Sequence, residues 1–360
     1  MKRIGFNEGV NPIISYLYEH FCGKIINCMN TSSDFKIKKP SIIQALLSGF
    51  NTIASKPGLI LIPILLDLFL WFGPAWRVDR VFAPFIKRIT NLPTTGSIEI
   101  ASLLENYQTI LRDMLANLNL AITLRTLPIG VPSLMASKPS FLNPLGQPPT
   151  FNLENNFQFL AFWLLFLLTG FLLVSLYLQK ISQQVIQPLE NTFKIFIYSL
   201  LQIILIPILL LFVLMILSFP LIIIISLATL ISPAISQFFL LLAIFFIFWA
   251  MMPLIFTPHA IFLYKQNLMS AMITSIKVVR LSMNKTAWFI LAGILIVEGL
   301  NHLWRSPNVD NWFLIVGIFG HAFIVSAIIA ASFHYFLDAT KFSQAVINQS
   351  IKSGQNVLDK

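Results

Sequence analysis

Residues 195–264 read "IFIYSLLQIILIPILLLFVLMILSFPLIIIISLATLISPAISQFFLLLAIFFIFWAMMPLIFTPHAIFLY", seventy positions without one Asp, Glu, Lys or Arg. A helix needs about 20 apolar residues to cross a hydrocarbon core of ~30 Å. A run this long must cross more than once or re-enter. The remaining chain agrees: 57% of the residues are hydrophobic, 11% are charged, and the mean hydropathy is +0.81. A soluble domain carries about 25% charged residues, so the 360 residues do not read as two soluble domains. The expected class is an all-α integral membrane protein. It has about six transmembrane helices, an N-terminal interfacial helix and a partly helical extracytoplasmic insertion.

Working outward from the uncharged run, the span boundaries follow apolar length and breaker residues. A first span is expected at 58–76, "GLILIPILLDLFLWFGP" and the two residues after it, and a second at 157–179. The uncharged run supplies a third at 195–218 and a fourth at 237–258. Between them, 219–236 is bounded by Pro220 and Pro233 and reads as a re-entrant or interfacial turn, because proline interrupts helical hydrogen bonding. A fifth span is expected at 287–303 and a sixth at 312–336, with a polar tail at 337–360. Ahead of the first span, residues 1–57 form an N-terminal segment. Within it "SIIQALLSGFNTIASKP" predicts an interfacial helix over 41–56, with Ile42, Ile43, Leu46, Leu47, Phe50 and Ile53 on one face. Residues 77–156 form a long section, helical in its first half and too proline-rich for regular structure in its second. Apolar residues recur between those prolines, which predicts that the section folds down over the membrane domain.

Basic residues orient the spans. The connector 263–286 holds Lys265, Lys277, Arg280 and Lys285 and no acidic residue, which predicts a cytoplasmic location. Alternation then places the N-terminus, the 180–194 connector and the tail in the cytoplasm of a plasma (inner) membrane protein. The 77–156 section falls outside, and its seven basic residues do not oppose this, because long loops translocate largely regardless of charge. The formal net charge of +10 is therefore read as span-flanking lysine and arginine. No nucleic-acid partner is expected, since no basic stripe interleaves with aromatics. The lipid bilayer is the expected partner, with other membrane proteins as further candidates.

Ionisable residues at membrane depth are the candidate functional groups, since an unpaired carboxylate there costs at least ~2.5 kcal/mol. Asp67 falls near the middle of the first span and His321 at similar depth in the sixth, so the simplest partnering is Asp67 with His321. Such a pair is either a proton or ion relay or a packing contact. Glu298 and His302, four residues apart, share a helix face in the fifth span. With His321 they would supply two histidines and a carboxylate, but without the spacing of a zinc hydrolase; a polar cluster at headgroup level is the alternative. His259 and His334 read as interfacial residues near water. His20, Cys22 and Cys28 offer three metal ligands without a fourth at suitable spacing. No metal or cofactor is expected. Phosphate-binding and nucleophile-elbow motifs are absent from the sequence.

"FTPHAIFLYKQNLMSAMITSIKVVR" and "WFLIVGIFGHAFIVSAIIAASFHYFLDATKF" resemble a group of bacterial polytopic membrane proteins. That group is similar to the membrane domain attached to some glycerophosphodiester phosphodiesterases. The shared feature is an Asn-x-x-x-Ala-x-x-x-Ser connector, here Asn267, Ala271 and Ser275. The resemblance implies an α-helical integral membrane protein. It implies no catalytic residue, because the enzymes' catalytic domain has no counterpart in this chain. Two functions stay open: a non-enzymatic membrane component (assembly, lipid-organising or partner-binding), or a transporter or channel using Asp67, Glu298 and His321.

Overall fold

The structure is a computed structural model. It describes residues 39–90, 106, 109–138, 141–186 and 193–358; His20, Cys22 and Cys28 lie outside them. The fold is helical. Among the described residues, five helices are long and apolar enough to cross a membrane, or six segments if one bent pair counts as a span.

The bent pair comes first. Helix α1 (Ile42–Ser55) is capped by Ser41, whose hydroxyl accepts from the Gln44 N–H. A 3-10 turn (Pro57–Ile60) leads into α2 (Leu61–Phe72), and the two arms meet at 92°. The expected first span thus loses its last turn. Backbone beyond Phe72 is extended at Gly73 and forms strand β1 (Ala75–Arg77). The face of α1 buried against protein is only partly its apolar face. Ala45, Gly49 and Ile53 are its buried positions, whereas Ile43 and Leu47 are exposed. Small residues at i, i+4 spacing let two helix backbones approach closely. A Cβ placed on Gly49 would lie 2.4 Å from Ala327 O and Ala331 N, so only glycine fits here. The partner is the last helix, α10 (Leu314–Leu358). Its Ala322, Ala327, Ala330, Ala331, Phe333, Tyr335, Phe336 and Ala339 are fully buried.

Between α2 and the next long helix lie α3 (Asp79–Thr90), 3-10 turns at Leu120–Arg125 and Met135–Ser137, and strand β2 (Thr150–Asn152). β1 and β2 pair in parallel, Ala75 opposite Thr150 and Arg77 opposite Asn152. The ring of Trp76 lies 4.8 Å from Phe166 and 5.9 Å from Phe151. This section packs onto the helical body as expected: Val131 and Leu134 are completely buried. The turn at 120–125 seats on α4 (Asn156–Val185), where a Cβ on Gly170 would come within 2.5 Å of Leu124 O.

The uncharged run folds differently from its predicted division. α5 (Phe193–Ile231) is one helix of 39 residues that passes through both Pro207 and Pro220. It breaks at Ser232, whose hydroxyl caps α6 (Pro233–Met251). No turn forms at Pro220, because proline removes one hydrogen bond without forcing a non-helical φ. Ser232 in extended conformation followed by Pro233 at the first helical position is the stronger stop. A 3-10 turn (Met252–Leu254), α7 (Thr257–Tyr264), α8 (Leu268–Leu281) and α9 (Met283–Trp304) follow. The expected connector 263–286 is therefore mostly helix. The expected polar tail is helical too, as the end of the 45-residue α10.

Candidate functional site

Asp67 lies on α2 with no solvent exposure, and its carboxylate is fully occupied. Ser133 Oγ donates to Oδ1 at 2.5 Å, the Met135 N–H donates to Oδ1 at 3.0 Å, and the Leu134 N–H donates to Oδ2 at 3.0 Å. These donors open the 3-10 turn Met135–Ser137. Asp67 thereby performs from another element the work of an N-cap, accepting from orphan N–H groups at the positive end of a turn. Ser133 Oγ in turn accepts from the Ala136 N–H at 3.0 Å. The expected Asp67–His321 pair does not form. The reason is local: two backbone donors and a hydroxyl reach the carboxylate first, and they satisfy it without an ionisable partner.

Around this contact the loop is fastened at several points. Asn143 Nδ2 donates to Trp71 O at 3.2 Å, and Trp71 Nε1 donates to Val309 O at 2.8 Å. Lys138 Nζ donates to Arg305 O at 2.8 Å and also to Pro307 O. Burial, and then the nearby Arg305 guanidinium, hold the Lys138 ammonium below the usual lysine pKa. The loop thus bridges α2 and the 305–312 connector.

His321 forms a separate group. Its Nδ1 donates to Asn301 Oδ1 at 2.8 Å, and Asn301 Nδ2 donates to Glu298 Oε1 at 3.4 Å. Asn301 therefore links the buried His321 to the exposed Glu298. His302 is exposed. The candidates Glu298 and His321 are connected, Asp67 is not part of their chain, and His302 joins neither. Among the described residues no three of His, Cys, Asp and Glu come together as a metal site.

The other polar contacts between helices are pairs or short chains. Tyr177 OH donates to Ser326 Oγ at 2.8 Å. Thr286 Oγ1 lies 3.0 Å from Tyr335 OH and 3.1 Å from Ser282 Oγ. His259 Nε2 lies 2.7 Å from Ser332 Oγ, with its ring 4.3 Å from Phe333, so it faces protein rather than water. His334 Nε2 meets Thr52 Oγ1 at 2.9 Å and ties α10 to α1. Ser133, Tyr177 and Ser326 carry no signal in the sequence that marks them out as partners. Asn301 alone left a trace there, between Glu298 and His302 in "VEGLNHLW".

Chemically, these arrangements hold helices together. Two hydroxyl–imidazole pairs occur among them, Ser332 with His259 and Thr52 with His334, and each joins α10 to another helix. No family model, no curated protein and no solved structure matches this chain.

Proposed function

We propose that this chain is a multi-pass inner-membrane protein with a non-enzymatic role, acting as an assembly, lipid-organising or partner-binding component. The observation that carries this reading is how polar groups are distributed. Asp67 is closed off by Ser133, Leu134 and Met135, and the Tyr177–Ser326 and Thr286–Tyr335 pairs are spent on helix-to-helix contacts. By contrast, α5 and α6 expose a long apolar surface that includes Leu211, Phe212, Met215, Phe238 and Phe245. That hairpin is the working face of the proposal, turned toward lipid or toward another protein's helices. The basic connectors orient the spans with both termini in the cytoplasm.

A second reading, transport, is favoured by the Glu298–Asn301–His321 chain, which leads from an exposed carboxylate to a buried imidazole. One experiment separates the two. The protein carries a photo-crosslinker at Leu211 or Phe212 in native membranes and is then reconstituted in vesicles enclosing a pH-sensitive dye. A non-enzymatic component forms lipid or protein adducts along α5 and leaves the proton gradient intact. Dissipation of the gradient that Glu298→Gln abolishes would establish transport instead.

A further inference from the structure

The α8–α9 junction carries a pocket that the contacts above do not use. It has a volume of about 380 Å³ and is lined by Lys39, Pro40, Arg280, Leu281, Ser282, Met283, Asn284, Lys285 and Phe342. Three of its lining residues are cations and none is acidic. Lys39, Arg280 and Lys285 are exposed, and none of the three forms an ion pair among the described residues. Asp338 lies one turn before Phe342 on α10, but it is not in the lining.

The backbone adds to the positive character. Ser282 stands at the N-cap position of α9 but does not cap it. Its hydroxyl donates to Val278 O at 2.7 Å and lies 3.1 Å from Thr286 Oγ1. The first α9 N–H with an intrahelical partner is that of Thr286, bonded to Ser282 O at 2.9 Å. The N–H groups of Met283, Asn284 and Lys285 are therefore orphan donors, and all three residues line the pocket. At the opposing end of α8, the Val278 and Val279 carbonyls already accept from the Ser282 N–H. The positive end of α9 is open, while those two carbonyls of α8 are occupied.

We infer that the pocket formed by Lys39, Arg280, Lys285 and the first turn of α9 binds a phosphate-bearing anion. A phosphate oxygen accepts from backbone N–H groups at a helix N-terminus, and lysine and arginine neutralise its charge. Pro40, Leu281, Met283 and Phe342 supply an apolar wall beside the cations, which suits a phosphate attached to a lipid. Depth agrees with a headgroup. Thr286 of α9 meets Tyr335 of α10, and the next residues of α10 carry its first charges, Asp338 and Lys341. The pocket lies where the apolar part of both helices ends. Basic pockets between helices at such a level bind anionic headgroups. This inference rests on reading α9 and α10 as membrane-embedded.

The test uses the full chain purified in detergent and placed in nanodiscs of phosphatidylcholine with about one fifth phosphatidylglycerol, a mole fraction that supplies an anionic surface. Lipid retained by the protein is quantified after delipidation. The parent retains phosphatidylglycerol over phosphatidylcholine. The triple variant Lys39→Gln/Arg280→Gln/Lys285→Gln loses about tenfold or more of that preference, since each basic residue near an anionic surface carries roughly fivefold in affinity. Lys56→Gln/Lys194→Gln/Lys277→Gln, equal in charge and outside the pocket, keeps it. Asn284→Trp leaves all three cations in place and fills the pocket, so it loses the preference without a change in charge.

A lipid-free arm titrates inorganic phosphate against thermal unfolding. If phosphate raises the parent's midpoint but not the triple variant's, and lipid preference is the same in both, the anion is free phosphate and the site stands. If neither probe separates parent from triple variant, or the control triple loses as much, the inference is overturned. Extraction at alkaline pH decides the premise separately: release of the parent from membranes would overturn the embedded reading itself.

Discussion

Asp67 on α2 and Ser133 in the long loop are joined by a 2.5 Å hydrogen bond across 66 residues of sequence. That contact makes the carboxylate an organiser of backbone rather than a free acid. The loop segment it gathers includes Leu134, which has no solvent exposure. A buried anion with three donors is stable where an unpaired one would not be.

Replacing Asp67 therefore acts on the loop first. Asp67→Leu leaves the Ser133 hydroxyl and the Leu134 and Met135 N–H groups without an acceptor, at a cost of about 2–4 kcal/mol. Asp67→Asn keeps one carbonyl oxygen and costs roughly half as much. Unfolding midpoints in detergent should rank parent above Asn above Leu. Limited proteolysis should cut 126–138 fastest in the Leu variant. An unchanged cleavage pattern in Asp67→Leu would show that the carboxylate does not hold the loop.

Gly49 sets the approach of α1 to α10. A Cβ at this position would stand only 2.4 Å from Ala327 O and Ala331 N, so Gly49→Val forces the helices apart. A short bifunctional cross-linker should join Thr52→Cys to His334→Cys in the otherwise native chain, because the native side chains meet at 2.9 Å. The same pair in a Gly49→Val background should cross-link several-fold less. Gly58, where a Cβ meets nothing within 4 Å, is the control position, and Gly58→Val should leave the yield unchanged.

Tyr177 and Ser326 offer a cleaner measure of interhelical coupling. Both are completely buried, on α4 and α10, and they share one 2.8 Å hydrogen bond. Tyr177→Phe and Ser326→Ala should each cost about 1 kcal/mol, and the double variant about the same as either alone. Full additivity in a thermal-unfolding cycle would mean the bond contributes nothing.

Much of the helical framework could be read from composition, and much of the polar detail could not. A long apolar run without charge announces its helices, which is why α4 and α9 fall close to expectation, while α5 runs on past its expected end. The partners of Asp67 are different in kind. Two are backbone N–H groups, which every residue but proline carries, so Leu134 and Met135 leave no signature as donors. Pro220 misled because proline in an apolar helix is tolerated more readily than its reputation suggests, whereas Ser232–Pro233 combines a cap with a helix start. Ala45 and Gly49 are not legible as contact residues because the larger residues Ile43 and Leu47 dominate any reading by hydrophobicity. Asn301 carries no ionisable group to draw notice between Glu298 and His302, yet it is the residue that connects to His321.

Leu211, near the centre of α5 and 68% exposed, tests what surrounds the uncharged hairpin. In water this surface would drive aggregation; in hydrocarbon it is neutral. Leu211→Ala removes little packing and should leave membrane integration intact. Leu211→Lys sets an ammonium at the middle of the helix, where insertion costs about 2.5–3.5 kcal/mol. The fraction of protein resisting alkaline extraction should therefore fall in the Lys variant and not in the Ala variant. Moving the lysine to Phe193 at the helix end, also exposed, should restore integration, because a long cationic side chain there reaches the interface. Equal integration of Leu211→Lys and the parent would place the centre of α5 in contact with water, and the hairpin would then have to be covered by something other than lipid.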